Sequence, residues 1–347
     1  MSYPGLNGPG LTLQNHASMR LQTTYLGLPL RTPIVVSACP LSEDVDNIVR
    51  MEKAGAGAVV LFSLFEEQIR REAELYETVV ETTTNSFPEA QNYFPNLEDY
   101  RVGASQYLEL IREAKERVEI PIIASLNGVT DEGWIQYAKQ MEEAGADGLE
   151  VNVFYIPADI NLSGQEVEQR YLDNAHRVRS TISIPVAVKL NPYFSAMGNM
   201  AKQLVGAGAD GLVLFNRFYQ PDIDVSQLKV VPNLRYSEAV EIRLPLLWVA
   251  ALHGRVNASL AATTGVQGSR EVMKYLLAGA DVVMTASALY KYGIEYISTM
   301  LAELETWMKE MEFYSLNDFR GLLSQKEVED PTAFERANYI KVLGSKR

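Results

Sequence analysis

Apolar residues gather along this chain in short runs, separated by longer stretches in which apolar positions recur every three or four residues. A short apolar run bounded by turn residues reads as a buried parallel strand, and the longer pattern reads as an amphipathic helix. A repeated phrase marks the junctions. Ala54-Gly55-Ala56-Gly57 precedes Ala58–Phe62, and Ala144-Gly145-Ala146-Asp147 precedes Gly148–Asn152. Ala207-Gly208-Ala209-Asp210 precedes Gly211–Phe215, and Ala278-Gly279-Ala280-Asp281 precedes Val282–Thr285. Each copy follows a helical pattern, so each predicts a helix ended by glycine and a tight turn into a strand. The copies lie 90, 63 and 71 residues apart, which leaves room for a further unit between neighbours and excludes a solenoid period.

Eight strands follow: Pro33–Ala38, Ala56–Phe62, Pro121–Asn127, Gly148–Phe154, Pro185–Asn191, Gly211–Arg217, Ser259–Val266 and Asp281–Ser287. The helices between them are predicted at Asp44–Ala54, Ala104–Val118, Asp131–Glu143, Gln165–Thr181, Ala196–Ala207, Leu244–Leu252, Gly268–Ala278 and Ile294–Met311. Strict alternation predicts an α/β fold, a single (β/α)8 TIM barrel. A doubly wound sheet is the alternative, but Ser37-Ala38-Cys39-Pro40 after the first strand is not a glycine-rich dinucleotide fingerprint. Long loops are expected at the C-terminal face, over Phe65–Tyr100, Phe154–Gln165 and Phe218–Ile242. Loops placed there serve more often as lids or site walls than as padding. The charged helical tail after Leu316 is expected to cap the barrel bottom or join a subunit contact.

Composition narrows the class. A formal net charge of -13 argues against nucleic-acid or anionic-membrane partners. One cysteine, Cys39, excludes an internal disulfide framework and an intrachain iron–sulfur site. The three histidines are too scattered for a zinc spacing. No apolar run reaches the roughly 18 residues needed to span a bilayer, and the Gly/Pro-rich start is not a secretory signal, so a cytoplasmic protein is expected.

The strand ends carry the candidate chemistry. Lys189 sits in the apolar run Pro185–Leu190, where an ammonium must either snorkel to water or meet an anion. Ser125, Asn152, Asn216, Thr263 and Thr264 add hydroxyls and amides. Such a set suits a polar planar heterocycle rather than glycoside hydrolysis or metal catalysis. Each strand-end asparagine can equally cap its own turn. Thr264-Gly265, with Ala286-Ser287 after the last strand, forms either a phosphate cradle or a simple tight turn.

In these features the chain resembles the dihydroorotate dehydrogenase family, FMN-containing (β/α)8 barrels, over about Leu21 to Leu323. The resemblance rests on Leu26–Pro33, Pro185–Phe194, Thr263–Val266, Leu277–Asp281 and Thr285–Leu289. It implies an N-terminal extension at 1–20, an FMN-binding barrel at 21–323 and a helical tail at 324–347. It further implies that Lys189 meets the flavin pyrimidine edge, that Ser37 and Ala38 lie against the ring, and that Ser125 and Asn152 contact flavin or substrate. Thr264, Gly265, Ala286 and Ser287 would hold the phosphate, and Asn85, Asn96, Asn152 and Asn216 would bind substrate. The family's catalytic base position reads Tyr155, as base or as a packing aromatic, and a family lysine reads Phe62.

The expected activity is oxidation of a CH–CH bond, by default dihydroorotate to orotate in pyrimidine biosynthesis. A flavin-binding homologue with another substrate or no activity is one alternative. A lyase or isomerase holding a phosphorylated substrate is another. Expected partners are a small-molecule substrate, a homodimer mate and an electron-acceptor protein.

Overall fold

The computed structural model describes residues 19–68, 104–128, 134–217, 220–231 and 235–344. A short hairpin, β1 (Thr23–Tyr25) and β2 (Leu28–Leu30), precedes the barrel. Eight parallel strands then close on themselves: β3 (Ile34–Val36), β4 (Ala58–Phe65), β5 (Ile122–Asn127), β6 (Gly148–Asn152), β7 (Val186–Leu190), β8 (Gly211–Leu214), β11 (Ser259–Ala262) and β12 (Val282–Thr285). All eight predicted strands are present. Seven are shorter than their apolar runs, because the run continues into the turn after hydrogen bonding to the neighbour stops.

The helices are α1 (Val45–Lys53), α2 (Ala104–Arg117), α3 (Trp134–Glu143), α4 (Gly164–Thr181), α5 (Met197–Gly206), α6 (Arg243–Leu252), α7 (Ser269–Ala278), α8 (Ser287–Tyr292), α9 (Tyr296–Glu310) and α10 (Arg336–Gly344). Local signals explain several starts. Asp44 caps α1 by accepting from the Asp46 amide, and Ser163 with Glu166 forms a capping box on α4. The second hairpin, β9 (Asp222–Asp224) with β10 (Lys229–Val231), lies in a stretch the sequence marked only as a long loop. Among the described residues no helix is long and apolar enough to cross a membrane.

The repeated phrase is a structural stitch. Gly55, Gly145, Gly208 and Gly279 take left-handed φ of 101°, 103°, 109° and 114°, a conformation that favours glycine. The aspartates then clamp the start of the preceding strand. Asp147 Oδ2 accepts from Ile122 N at 2.8 Å, Asp210 Oδ2 from Val186 N at 2.9 Å, and Asp281 Oδ2 from Leu260 N at 2.8 Å. Each has a basic partner: Lys115, Arg179 and Arg320 respectively. The first copy has Gly57 instead, because a Cβ there would lie 2.2 Å from the Thr32 carbonyl oxygen.

Two apolar regions result from strand alternation. Outward residues such as Val59, Val151 and Leu212 pack against the helices, while Val60, Ile123, Ala187, Val213 and Met284 fill the barrel interior. The β1–β2 hairpin plugs the interior from below, with Tyr25, Leu26 and Leu30 in the same inner cluster. The segment after α9 closes that end too. Gly321 N and Leu323 N donate to the carbonyls of Leu276 and Leu277, and Gln325 N to that of Ala250. The mouth at the C-terminal ends of the strands is left as the face for a ligand.

One carboxylate on the outer shell makes the acid response testable. Burial by itself would raise Glu142, but bonds from Lys139, Ser183 and Ile184 outweigh it and hold the group at about 2. A depressed carboxylate contributes stability above its unfolded value that is lost as pH falls through the folded one. Glu142→Gln is therefore expected to lower Tm near neutrality, with the gap from wild type closing between about pH 5 and about pH 2. Thermal unfolding followed by circular dichroism across that range is the check. A gap independent of pH would contradict the assignment.

Candidate functional site

The barrel mouth opens into a cleft of about 920 Å³. The ends of β3, β7, β8, β11 and β12 contribute Ser37 and Ala38, Lys189, Phe215 and Asn216, Thr263 to Val266, and Met284 to Ser287. Sequence reasoning placed Ser37, Ala38, Lys189, Asn216, Thr264, Gly265, Ala286 and Ser287 here, and the fold brings all eight together on one cleft.

Lys189 is the best-defined member. It is 7% exposed, lines the cleft, and its ammonium donates to Glu150 Oε1 at 3.2 Å. Glu150 is fully buried on β6, two residues before the strand end, so it is not among the strand-end residues that mark the site in the sequence. Alternation was the available signal. Asn152 and Glu150 share a face, and a carboxylate inside Gly-Leu-Glu-Val-Asn requires a partner. Lys189 pairs in register with Asn152, so Glu150 lies one inward position deeper than the lysine.

The amides behave differently from one another. Asn216 lines the cleft and donates from Nδ2 to Asn152 Oδ1 at 2.7 Å, which leaves Asn152 behind it and buried. Asn191 instead donates to the Tyr171 hydroxyl and accepts from Tyr193 N, the local turn-capping role. Burial, opposed by that bond from Asn191, pushes the Tyr171 phenol up to about 12.

Ser125 is buried and does not line the cleft. Its hydroxyl pairs with Ser63 at 2.8 Å, and Tyr107 holds its backbone. Ser63 reaches this inner position because the β4–β5 register shifts between Val60 and Ser63. Phe62 packs in the outer cluster, edge-on to Tyr107 with ring centroids 4.9 Å apart.

Tyr155 also belongs to the outer layer. Val153 and Tyr155 pack with the helix-side cluster, the Arg170 guanidinium lies 5.1 Å from the Tyr155 ring centroid, and Phe154 lines the cleft. Asn85 and Asn96 fall outside the described residues.

The corner around Thr264 and Ser287 is built by tertiary contacts. Thr264 and Gly265 have φ of 78° and 76°, and the Thr264 hydroxyl donates to the Phe215 carbonyl. Ser287 Oγ bonds Ser237 Oγ at 3.0 Å. Ser237, with Arg235 and Tyr236, comes from the connection after β8 and forms a cleft wall that the sequence did not resolve into residues. Cys39 also lines the cleft, where burial pushes its thiol up to about 11 despite bonds from Leu41 and Tyr290, so it stays protonated at neutral pH.

A model of the dihydroorotate dehydrogenase family matches residues 94–308, more than half of the chain. The chain belongs to the dihydroorotate dehydrogenase family. Family membership makes it an oxidoreductase, a flavin-dependent dehydrogenase in class. The catalytic subunit of dihydroorotate dehydrogenase B (NAD(+)) from Methanocaldococcus jannaschii is 26% identical over 312 residues, covering 87% of this chain and 97% of that protein. The corresponding subunit from Thermoplasma volcanium is 26% identical over 310 residues, covering 87% and 98%. The NAD-dependent dihydropyrimidine dehydrogenase subunit PreA of Escherichia coli K12 is 22% identical over 329 residues, covering 89% and 78%. The likeness thus spans the barrel and extends to relatives named for two different pyrimidine reactions.

Proposed function

We propose that the cleft holds FMN and that the protein oxidises a CH–CH bond of a small planar pyrimidine-like ring, with dihydroorotate as the first substrate to test. The observation that carries this reading is Lys189, a nearly buried ammonium at the ligand face with one carboxylate contact among the described residues. An ammonium has three donors, so capacity remains toward the cleft. The cleft volume falls within the roughly 300–1,000 Å³ usual for cofactor sites.

When bound, the flavin supplies the hydride-accepting chemistry. Lys189 would meet its pyrimidine edge and favour negative charge there. Ala38 and Ser37 would lie against the ring, while Thr264, Gly265, Ala286 and Ser287 would hold the phosphate. Asn216, positioned by Asn152, would bind substrate. Because two of the relatives are named as catalytic subunits, a partner subunit is the proposed route for electrons.

The placement of Tyr155 favours a second possibility for the chemistry. As a base it would have to turn from Arg170 toward the cleft, so a flavin protein that does not use Tyr155, or acts on another ring, fits the geometry. The test is anaerobic addition of dihydroorotate to FMN-loaded protein, followed by the flavin absorption spectrum. Bleaching supports the dihydroorotate reading. A stable oxidised spectrum assigns another substrate, and failure to bind FMN sinks the proposal. Tyr155→Phe is expected to leave the reduction rate within about twofold, whereas removal of a true general base costs roughly 10²–10⁴.

A further inference from the structure

The barrel interior beneath the cleft holds a charge arrangement that flavin binding alone does not require. Glu150 has no exposed surface and stands in the barrel interior, paired in register with Ser125 on one side and Ala187 on the other. Among the described residues its ion-pair partner is Lys189, at 3.2 Å through Oε1. The other oxygen, Oε2, is buried without a hydrogen-bond partner among the described residues. Most buried carboxylates are satisfied by several donors, which disperse the charge. Here, among the described residues, the balance of charge rests on one contact.

Tyr25 lies within reach of this charge. The Tyr25 hydroxyl, on the hairpin that plugs the barrel, is also buried without a partner among the described residues. Its phenol is pushed well above the ordinary range, first by burial and next by the Glu150 carboxylate and then by Asp281. Glu150 therefore has the Lys189 ammonium as its ion-pair partner among the described residues, and the buried phenol near it is neutral. Lys189 in turn has Glu150 behind it and the cleft in front.

We propose that Glu150 is a positioning and charge-balancing residue for Lys189: it holds the ammonium at the barrel mouth and offsets its positive field, thereby setting how strongly the cleft favours the reduced, more negative form of the bound flavin. The inference rests on the FMN reading above. A carboxylate serving only to make a buried lysine tolerable would affect stability and leave the reduction potential alone. A tuning carboxylate must move the potential with a definite sign. Removing its negative charge leaves Lys189 uncompensated, which stabilises reduced flavin and raises the potential. Removing the Lys189 charge does the opposite.

The experiment measures the midpoint potential of FMN-loaded wild type, Glu150→Gln and Lys189→Met, with the FMN dissociation constant of each. Glutamine keeps the shape of the side chain and can still accept from Lys189. The expected result is at least a tenfold gain in affinity for reduced over oxidised flavin in Glu150→Gln, which is about 30 mV upward for a two-electron couple. A shift downward is expected for Lys189→Met where flavin is retained. Should Glu150→Gln not fold, Glu150→Asp keeps the charge but withdraws it from Lys189, and a smaller upward shift is expected. Flavin-loaded variants with the wild-type potential overturn the inference while leaving the FMN reading intact. Wild-type protein that takes up no FMN overturns the reading itself.

Discussion

Lys189→Met is expected to cost the flavin-free protein about 3–5 kcal/mol, the usual penalty for removing one partner of a buried ion pair. The loss comes less from the missing contact than from what it leaves behind. Glu150 has no exposed surface, and Oε2 already lacks a partner among the described residues, so without Lys189 the carboxylate is left buried with no cation beside it. Lys189→Met combined with Glu150→Gln removes both charges and is expected to recover most of the loss. Urea unfolding of the four proteins gives the coupling directly as a double-mutant cycle. Additive losses would show that the two side chains do not depend on each other. The same single variant is expected to weaken FMN binding at least tenfold, because the ammonium is the cationic group that β7 presents to the cleft.

The second large effect is expected at Gly265→Ala. At φ 76° an L-residue carries strain of about 1–2 kcal/mol. The new Cβ would also lie 2.7 Å from Ile242 Cγ2 and 2.9 Å from both Glu238 O and Ile242 N, and overpacking of that kind adds about 1–3 kcal/mol. Relief requires the 238–242 segment to move, which displaces Ser237 and its bond to Ser287. A combined loss of about 2–5 kcal/mol is expected, together with at least tenfold weaker FMN binding. Thermal unfolding and a flavin titration check the two halves separately. Unchanged stability would mean that the turn is looser than its contacts imply. Gly265 is thus required by the protein's own packing, which the phosphate-cradle reading of Thr264-Gly265 did not anticipate.

The fold was legible because its signals are local. Each Ala-Gly-Ala-Asp phrase carries a helix stop, a left-handed glycine and an aspartate that clamps the neighbouring strand, and eight apolar runs with helices between them leave few architectures. Gly57 was legible as a departure from the phrase but not for its reason, since the Thr32 carbonyl it avoids lies at the entry to the neighbouring strand β3. The cleft was legible where strand ends contribute to it. It was not legible where the 235–242 segment folds over the mouth, since that contact depends on a loop path rather than on periodicity.

Residue types and their spacing are enough to establish the (β/α)8 barrel, the ligand face and Lys189 on it, because side-chain direction along a strand follows a period of two. Three matters depended on closure of the barrel. Glu150 meets Lys189 only because β6 and β7 pair with Asn152 beside Lys189. Ser63 replaces Phe62 as the inward residue only because the β4–β5 register slips between Val60 and Ser63. Tyr155 turns to Arg170 only because α4 packs outside the end of β6. In each case the deciding contact joins positions on different elements, and a strand pattern fixes the face a side chain takes but not the neighbour it finds there.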